Sequence, residues 1–158
     1  MQRLNFLSII GLIILLSSCS KEVKKESIII EKKLGSQAIE AFNEGKKALE
    51  EGDSLFAAKK FNEVEILFPQ SDLAPRSLLM AAYAYYFQDY YQDAVAELQR
   101  FLRVYPLHEN IDYAYYLLAI SYYEQIVDEK KDLQSIINAK EKFDIVIKKF
   151  PNTDYALD

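Results

Sequence analysis

The 158-residue sequence predicts an all-α fold, a solenoid of stacked helical hairpins, and three observations carry that expectation. A small residue recurs every 37 positions, at Gly45, Ala82 and Ala119. Each is followed by an aromatic-proline pair: Pro69 and Pro106 stand 24 residues after theirs, and Pro151 stands 32 after, as if eight residues had been inserted. Between the two marks, a small residue lies twelve positions before each proline (Ala57, Ala94, Ala139) and an apolar one eight before it (Phe61, Leu98, Phe143). A fixed period of this size marks a repeat architecture, in which one hairpin cannot bury its apolar face and neighbours must stack to do so.

In chain order, residues 1–18 read as a secretory signal, with Arg3 as a short positive segment and Phe6 to Leu16 as the apolar run. That run is shorter than a transmembrane span needs. Leu16-Ser17-Ser18-Cys19 resembles a bacterial lipobox, in which the cysteine is acylated and becomes the mature N-terminus. Cys19 is the single cysteine, so no intramolecular disulfide competes for it. Several acyl chains, each methylene contributing about 0.8 kcal/mol, would anchor the chain to a bilayer. Ser20, a non-acidic residue after the lipid site, directs such lipoproteins to the outer membrane. Residues 19–35 are the lipidated N-terminus and tether, with the polar SKEVKKES run of Ser20 to Ser27 free of apolar periodicity.

The repeats occupy residues 36–158, as units 36–72, 73–110 and 111–152 and a partial unit 153–158. In the first unit, Ala38, Phe42, Ala48 and Leu49 follow helical spacing until Gly52-Asp53 breaks it. Ser54 is the expected N-cap of the next helix, which Pro69 ends. The second unit pairs Pro75–Gln88 with Tyr91–Val104, Pro75 fitting a first helical turn where its missing N–H costs nothing. The third begins near Asp112, an N-cap candidate, and runs to about Val127. Asp128 to Asp132 is then an exposed loop, and the partner helix resumes near Ser135. Asn152 to Asp158 opens a fourth first helix. Seven residues do not make the polar terminal element a stacked array requires, so the pattern reads as part of a longer array.

Half the residues are hydrophobic and about a quarter charged, an ordinary globular composition. The net charge is −5, and −6 without residues 1–18, whose one charged side chain is Arg3; nucleic acid is therefore not an expected partner. His108, the single histidine, has no cysteine or second histidine beside it, so neither a metal site nor a nucleophile-base pair is expected, and no cofactor. The chain reads as a non-enzyme.

The small residue at repeat position 8, alanine at 20, apolar residue at 24 and proline at 32 resemble the tetratricopeptide repeat. A more specific resemblance covers nearly all of the mature segment. Ala82-Tyr83-Ala84-Tyr85-Tyr86, the run Arg100 to Tyr113 and Phe150-Pro151-Asn152-Thr153-Asp154-Tyr155 resemble the BamD family of outer-membrane assembly lipoproteins. That resemblance implies a non-catalytic, lipid-anchored scaffold on the periplasmic face of the outer membrane, within the β-barrel assembly machine. The partners it implies are unfolded outer-membrane-protein precursors and the machine's subunits, including the barrel-forming one. It also implies about five repeats, of which three are present.

All twelve tyrosines lie between Tyr83 and Tyr155. In tetratricopeptide repeats, positions 2, 5, 9 and 12 of the first helices face the ligand. Counting back from the prolines places Ile39, Phe42, Lys46 and Leu49 there in the first unit, and Arg76, Leu79, Tyr83 and Tyr86 in the second. The third contributes Tyr113, Tyr116, Ile120 and Tyr123. Tyrosine offers a large contact area with few rotamers to lose, which suits an extended peptide rich in aromatic residues. A tyrosine-rich helix pair is equally what a core looks like, and position 11 assigns Tyr85 and Tyr122 to that core. Arg76 would pair with a peptide carboxylate or form a surface salt bridge. Two other functions stay open at this level: an envelope scaffold tethering cell-wall or division proteins, and a hydrolase whose catalytic domain lies beyond Asp158.

Overall fold

The computed structural model describes the backbone of residues 24–125 and 133–158 and side chains from Lys33 onward. Cys19, the lipobox and the Asp128 to Asp132 loop lie outside the described residues. Among those that are described, every regular element is a helix: α1 (Lys24–Glu50), α2 (Ser54–Leu67), α3 (Ala74–Phe87), α4 (Tyr91–Val104), α5 (Ile111–Glu124), α6 (Leu133–Lys149) and α7 (Asp154–Leu157). Residues 34–158 form one compact unit, in which α2 through α7 each pack against the next. Helix α1 starts ahead of Ser36, so its backbone takes in residues 24–35, where the tether is expected; this run is rich in Lys and Glu and holds no proline.

The repeat positions carry the packing. Ala57, Phe61, Val64, Ala82, Ala94, Leu98, Phe101 and Ala119 are buried. Each large side chain among them contributes roughly 1.5–3 kcal/mol by leaving water. In the first unit the small residue must be glycine: a Cβ on Gly45 would sit 2.8 Å from the Phe61 ring. In the second and third units alanine takes the same repeat position, as Ala82 and Ala119, with Leu98 and Phe143 at the position of Phe61. The core continues across the units as two clusters, one around Phe42, Phe61 and Ala81, the other around Leu78, Phe101, Leu117 and Ala139.

Turn chemistry also repeats. Gly52 and Asp89, 37 residues apart, both have left-handed backbones (φ 84° and 63°) and turn the chain from a first helix into a second. Two capping expectations are corrected. Asp53, not Ser54, caps α2, its Oδ1 accepting the Phe56 N–H at 3.1 Å; a carboxylate at this place also meets the positive helix end, and Ser54 is buried inside the first turn. Asp112 lies within the first turn of α5, whose N-cap is Asn110. There His108 Nδ1 accepts the Asn110 N–H at 3.1 Å while its ring stands edge-on to Phe101 at 5.3 Å. The lone histidine thus fastens a turn. Prolines behave as their geometry requires: Pro75 sits in the first turn of α3, and α2, α4 and α6 end before Pro69, Pro106 and Pro151.

Candidate peptide-binding trough

The first helices of successive units, α3, α5 and α7, come together around a recess of about 320 Å³. It is lined by Arg76, Leu79, Met80 and Tyr83 from α3, Asn110 and Tyr113 from the start of α5, and Tyr155 from α7. Helical spacing explains the α3 set: Arg76, Leu79, Met80 and Tyr83 stand at i, i+3, i+4 and i+7, one stripe of one face. Leu79 and Met80 form its apolar floor.

Of the six residues expected to form a groove, Arg76, Tyr83 and Tyr113 line this recess. Tyr116 flanks it, its ring stacked on Tyr155 at 5.2 Å and 6.5 Å from Phe143, its hydroxyl donating to an Asp158 carboxylate oxygen. The other two stand elsewhere. Tyr86 packs on Tyr91 at 5.7 Å beside the Asp89 turn, and Tyr123 is 56% exposed. Tyr86 lies three residues and Tyr123 ten residues beyond the last lining residue of their helices.

The first unit also departs from the expected pattern. Phe42 is buried, packed edge-on against Phe61 at 5.4 Å, and the Arg76 guanidinium covers its ring at 5.4 Å. That cation–π contact joins the first unit to a residue that lines the recess. Ile39 and Lys46 are exposed and Leu49 is half-buried against the core. Arg76 has no carboxylate partner among the described residues, so its donors remain directed outward.

Tyr113 is the centre of the aromatic cluster. Its ring lies 5.3 Å from that of Tyr155, and burial, then the neighbouring phenols of Tyr83 and Tyr155, push its hydroxyl well above the ordinary tyrosine value. Tyr116 is pushed up to about 12, first by its hydrogen bond to Asp158 and then by burial. The Tyr83, Tyr113 and Tyr155 hydroxyls have no hydrogen-bond partner among the described residues. Three phenols and a guanidinium therefore face one recess with unspent donors. By contrast the two tyrosines expected in the core are there: Tyr122 is buried, its hydroxyl accepting from Gln99 Nε2 at 2.7 Å, and Tyr85 packs against the first cluster.

Tyr155 is the residue that counting from the prolines misses. The turn after Pro151 is two residues shorter than the turn after Pro106, since α7 begins three residues past its proline and α5 five past its own. Its signal is a different one: Asp-Tyr-Ala occurs at Asp112–Ala114 and again at Asp154–Ala156, which makes Tyr155 the counterpart of Tyr113.

Stacked helical hairpins with a trough along their first helices define a tetratricopeptide-type scaffold. In agreement, the first tetratricopeptide domain of Spaghetti (RPAP3), solved with the HSP90 peptide SRMEEVD, superposes with a TM-score of 0.59 at 18% identity, covering 78% of this chain and 86% of that one. That likeness establishes the fold. The chain belongs to the YfiO family of outer membrane lipoproteins, whose pattern matches residues 35–158. It is 36% identical over 155 residues to the outer membrane protein assembly factor BamD of Rickettsia prowazekii, covering 98% of this chain and 59% of that protein. It is 34% identical over 143 residues to the BamD of Caulobacter vibrioides, covering 90% of this chain and 46% of that one. The chain thus spans about half the length of these curated relatives.

Proposed function

We propose that this chain is a non-catalytic component of outer-membrane β-barrel assembly, holding unfolded outer-membrane-protein precursors in the Tyr83–Tyr113–Tyr155 trough. The observation that carries the reading is the recess itself, where an apolar floor of Leu79 and Met80 is ringed by unpaired phenols and Arg76. An extended segment bearing aromatic side chains would stack on the phenols, and its polar backbone would find their hydroxyls. Arg76, 5.4 Å above the Phe42 ring and without a carboxylate partner among the described residues, would take one from the bound segment, which a guanidinium grips through two parallel donors. Acyl chains on Cys19 would hold the unit at the periplasmic face of the outer membrane. Among the described residues no helix is long and apolar enough to cross a membrane. The barrel-forming subunit and other members of the assembly machine are the proposed partners.

The test is a titration of the Ser20–Asp158 chain with a fluorophore-labelled copy of the C-terminal strand of an outer-membrane β-barrel, read by anisotropy. A scrambled peptide serves as control. Saturable binding that exceeds the control and weakens in Tyr83→Ala and Tyr116→Ala is the expected result. Equal binding of both peptides by a chain with native helical circular dichroism would return the tyrosines to a packing role and favour a tethering scaffold.

A further inference from the structure

The junctions between units are built from corresponding positions, and their contents differ. At the first, Asn62 and Glu65 of α2 meet Glu97 and Arg100 of α4. Arg100 Nη1 reaches Glu65 Oε2 at 2.6 Å, Nη2 reaches Asn62 Oδ1 at 3.2 Å, and Nε reaches Glu97 Oε2 at 3.0 Å. Asn62 Nδ2 closes the ring by donating to Glu97 Oε1 at 3.0 Å. Moving 37 positions along α4 and 45 along α6 turns this quartet into Gln99, Leu102, Lys142 and Ile145. No ion pair can join Leu102 to Ile145. All four instead line an open cleft of about 620 Å³, together with Arg103 and Tyr115.

Charge in the cleft is unbalanced. Lys142 is neutralised by Glu141 at 2.7 Å, whereas Arg103 has no partner among the described residues, in a chain whose net charge is −5. Gln99 is occupied with Tyr122. An uncompensated guanidinium therefore stands beside Leu102, Tyr115 and Ile145 in the cleft, next to Leu102, which holds the position of Glu65 in the preceding junction.

We propose that the α4–α6 cleft is a docking site for a segment of a partner protein that presents an Asp or Glu side chain to Arg103 and an adjacent aliphatic side chain to Leu102 and Ile145. It is separate from the tyrosine trough, and the two share no lining residue. The carboxylate takes the part Glu65 plays for Arg100, and the aliphatic group fills the space the quartet occupies at the first junction.

The probe is a capped peptide of sequence Ala-Leu-Glu-Leu-Ala, acetylated and amidated, titrated at millimolar concentration into the isotope-labelled chain from position 19 with Cys19→Ser. Amide shifts should move along Gln99–Arg103 and Asn138–Ile145, with the apparent Kd weakening about fivefold to tenfold on Arg103→Gln, on a Glu-to-Gln change in the peptide, or in high salt. Leu102→Trp, which fills the cleft, should abolish the shifts while leaving trough binding intact. Shifts elsewhere, none at all, or the same affinity for the Gln peptide would overturn the proposal. So would concentration-dependent dimerisation that Arg103→Gln abolishes, since the occupant would then be a second copy of the chain.

Discussion

The junction between the first two units and the junction between the second and third solve one packing problem in opposite ways. At the first, a guanidinium, two carboxylates and an amide clasp α2 to α4 on one side, and Arg76 lies over Phe42 on the other. At the second, the α4–α6 side is an open cleft and the α3–α5 side is an aromatic trough with unpaired hydroxyls. Ion pairs and amide hydrogen bonds are gathered at the first junction, and open recesses at the second. The repeat period is the same across both, so the contrast arises from side chains placed on a common backbone.

The largest expected effect comes from opening the clasp. Arg100→Ala leaves Glu65, 8% exposed, without its cation, and should destabilise the fold by about 2–4 kcal/mol in urea denaturation. Burial opposes the Arg100 charge, but Glu97 and Glu65 outweigh it and hold its pKa above the usual arginine value. A loss no larger than that of Arg103→Ala would mean the two junctions are equivalent after all.

Next is Gly45→Val, which pushes a side chain into the Phe61 ring and should cost about 1–3 kcal/mol by overpacking. Ala82→Gly in the second unit, where no such ring intrudes, should cost about 1 kcal/mol, mostly through helix propensity. The smaller effect is alkaline. Tyr113 and Tyr116 have folded pKa values above their unfolded ones, so the stability they contribute is fully present below the ordinary value of 10.0 and is lost as pH rises, through about 12 for Tyr116 and through its own raised value for Tyr113. Thermal melts across that window should show a falling Tm, with the slope reduced in Tyr113→Phe. Tyr91, raised to about 12 by its hydrogen bond to Asp89, contributes to the same window but lies apart from the trough, and Tyr91→Phe separates the two.

Much of this was legible in the sequence because prolines and small residues act locally. Pro69, Pro106 and Pro151 end helices by removing an N–H, whatever surrounds them. The pairing of Tyr85 and Tyr122 with the core follows from helical phase alone. What escaped the reading depends on distance between elements. Arg100 looks like part of a proline turn when read along the chain, and its partners Glu65 and Asn62 are 35 and 38 residues away. Phe42 looks like a groove residue until Arg76 covers it. Tyr86 and Tyr123 share the phase of Tyr83 and Tyr113 yet stand beyond the recess, because phase fixes the face of a helix and leaves height along it to the neighbours. Tyr155 was hidden because it follows its proline by four residues where Tyr113 follows its own by seven, a shift that a count from the proline carries forward.

The most direct test of the trough is the affinity of the Tyr113→Ala chain for the labelled β-barrel C-terminal peptide, measured beside the unaltered chain and Tyr123→Ala. Tyr113 sits between Tyr83 and Tyr155, so its loss should weaken binding about tenfold or more while Tyr123→Ala leaves it unchanged. Equal affinity in all three chains, each folded by circular dichroism, would contradict recognition in the trough.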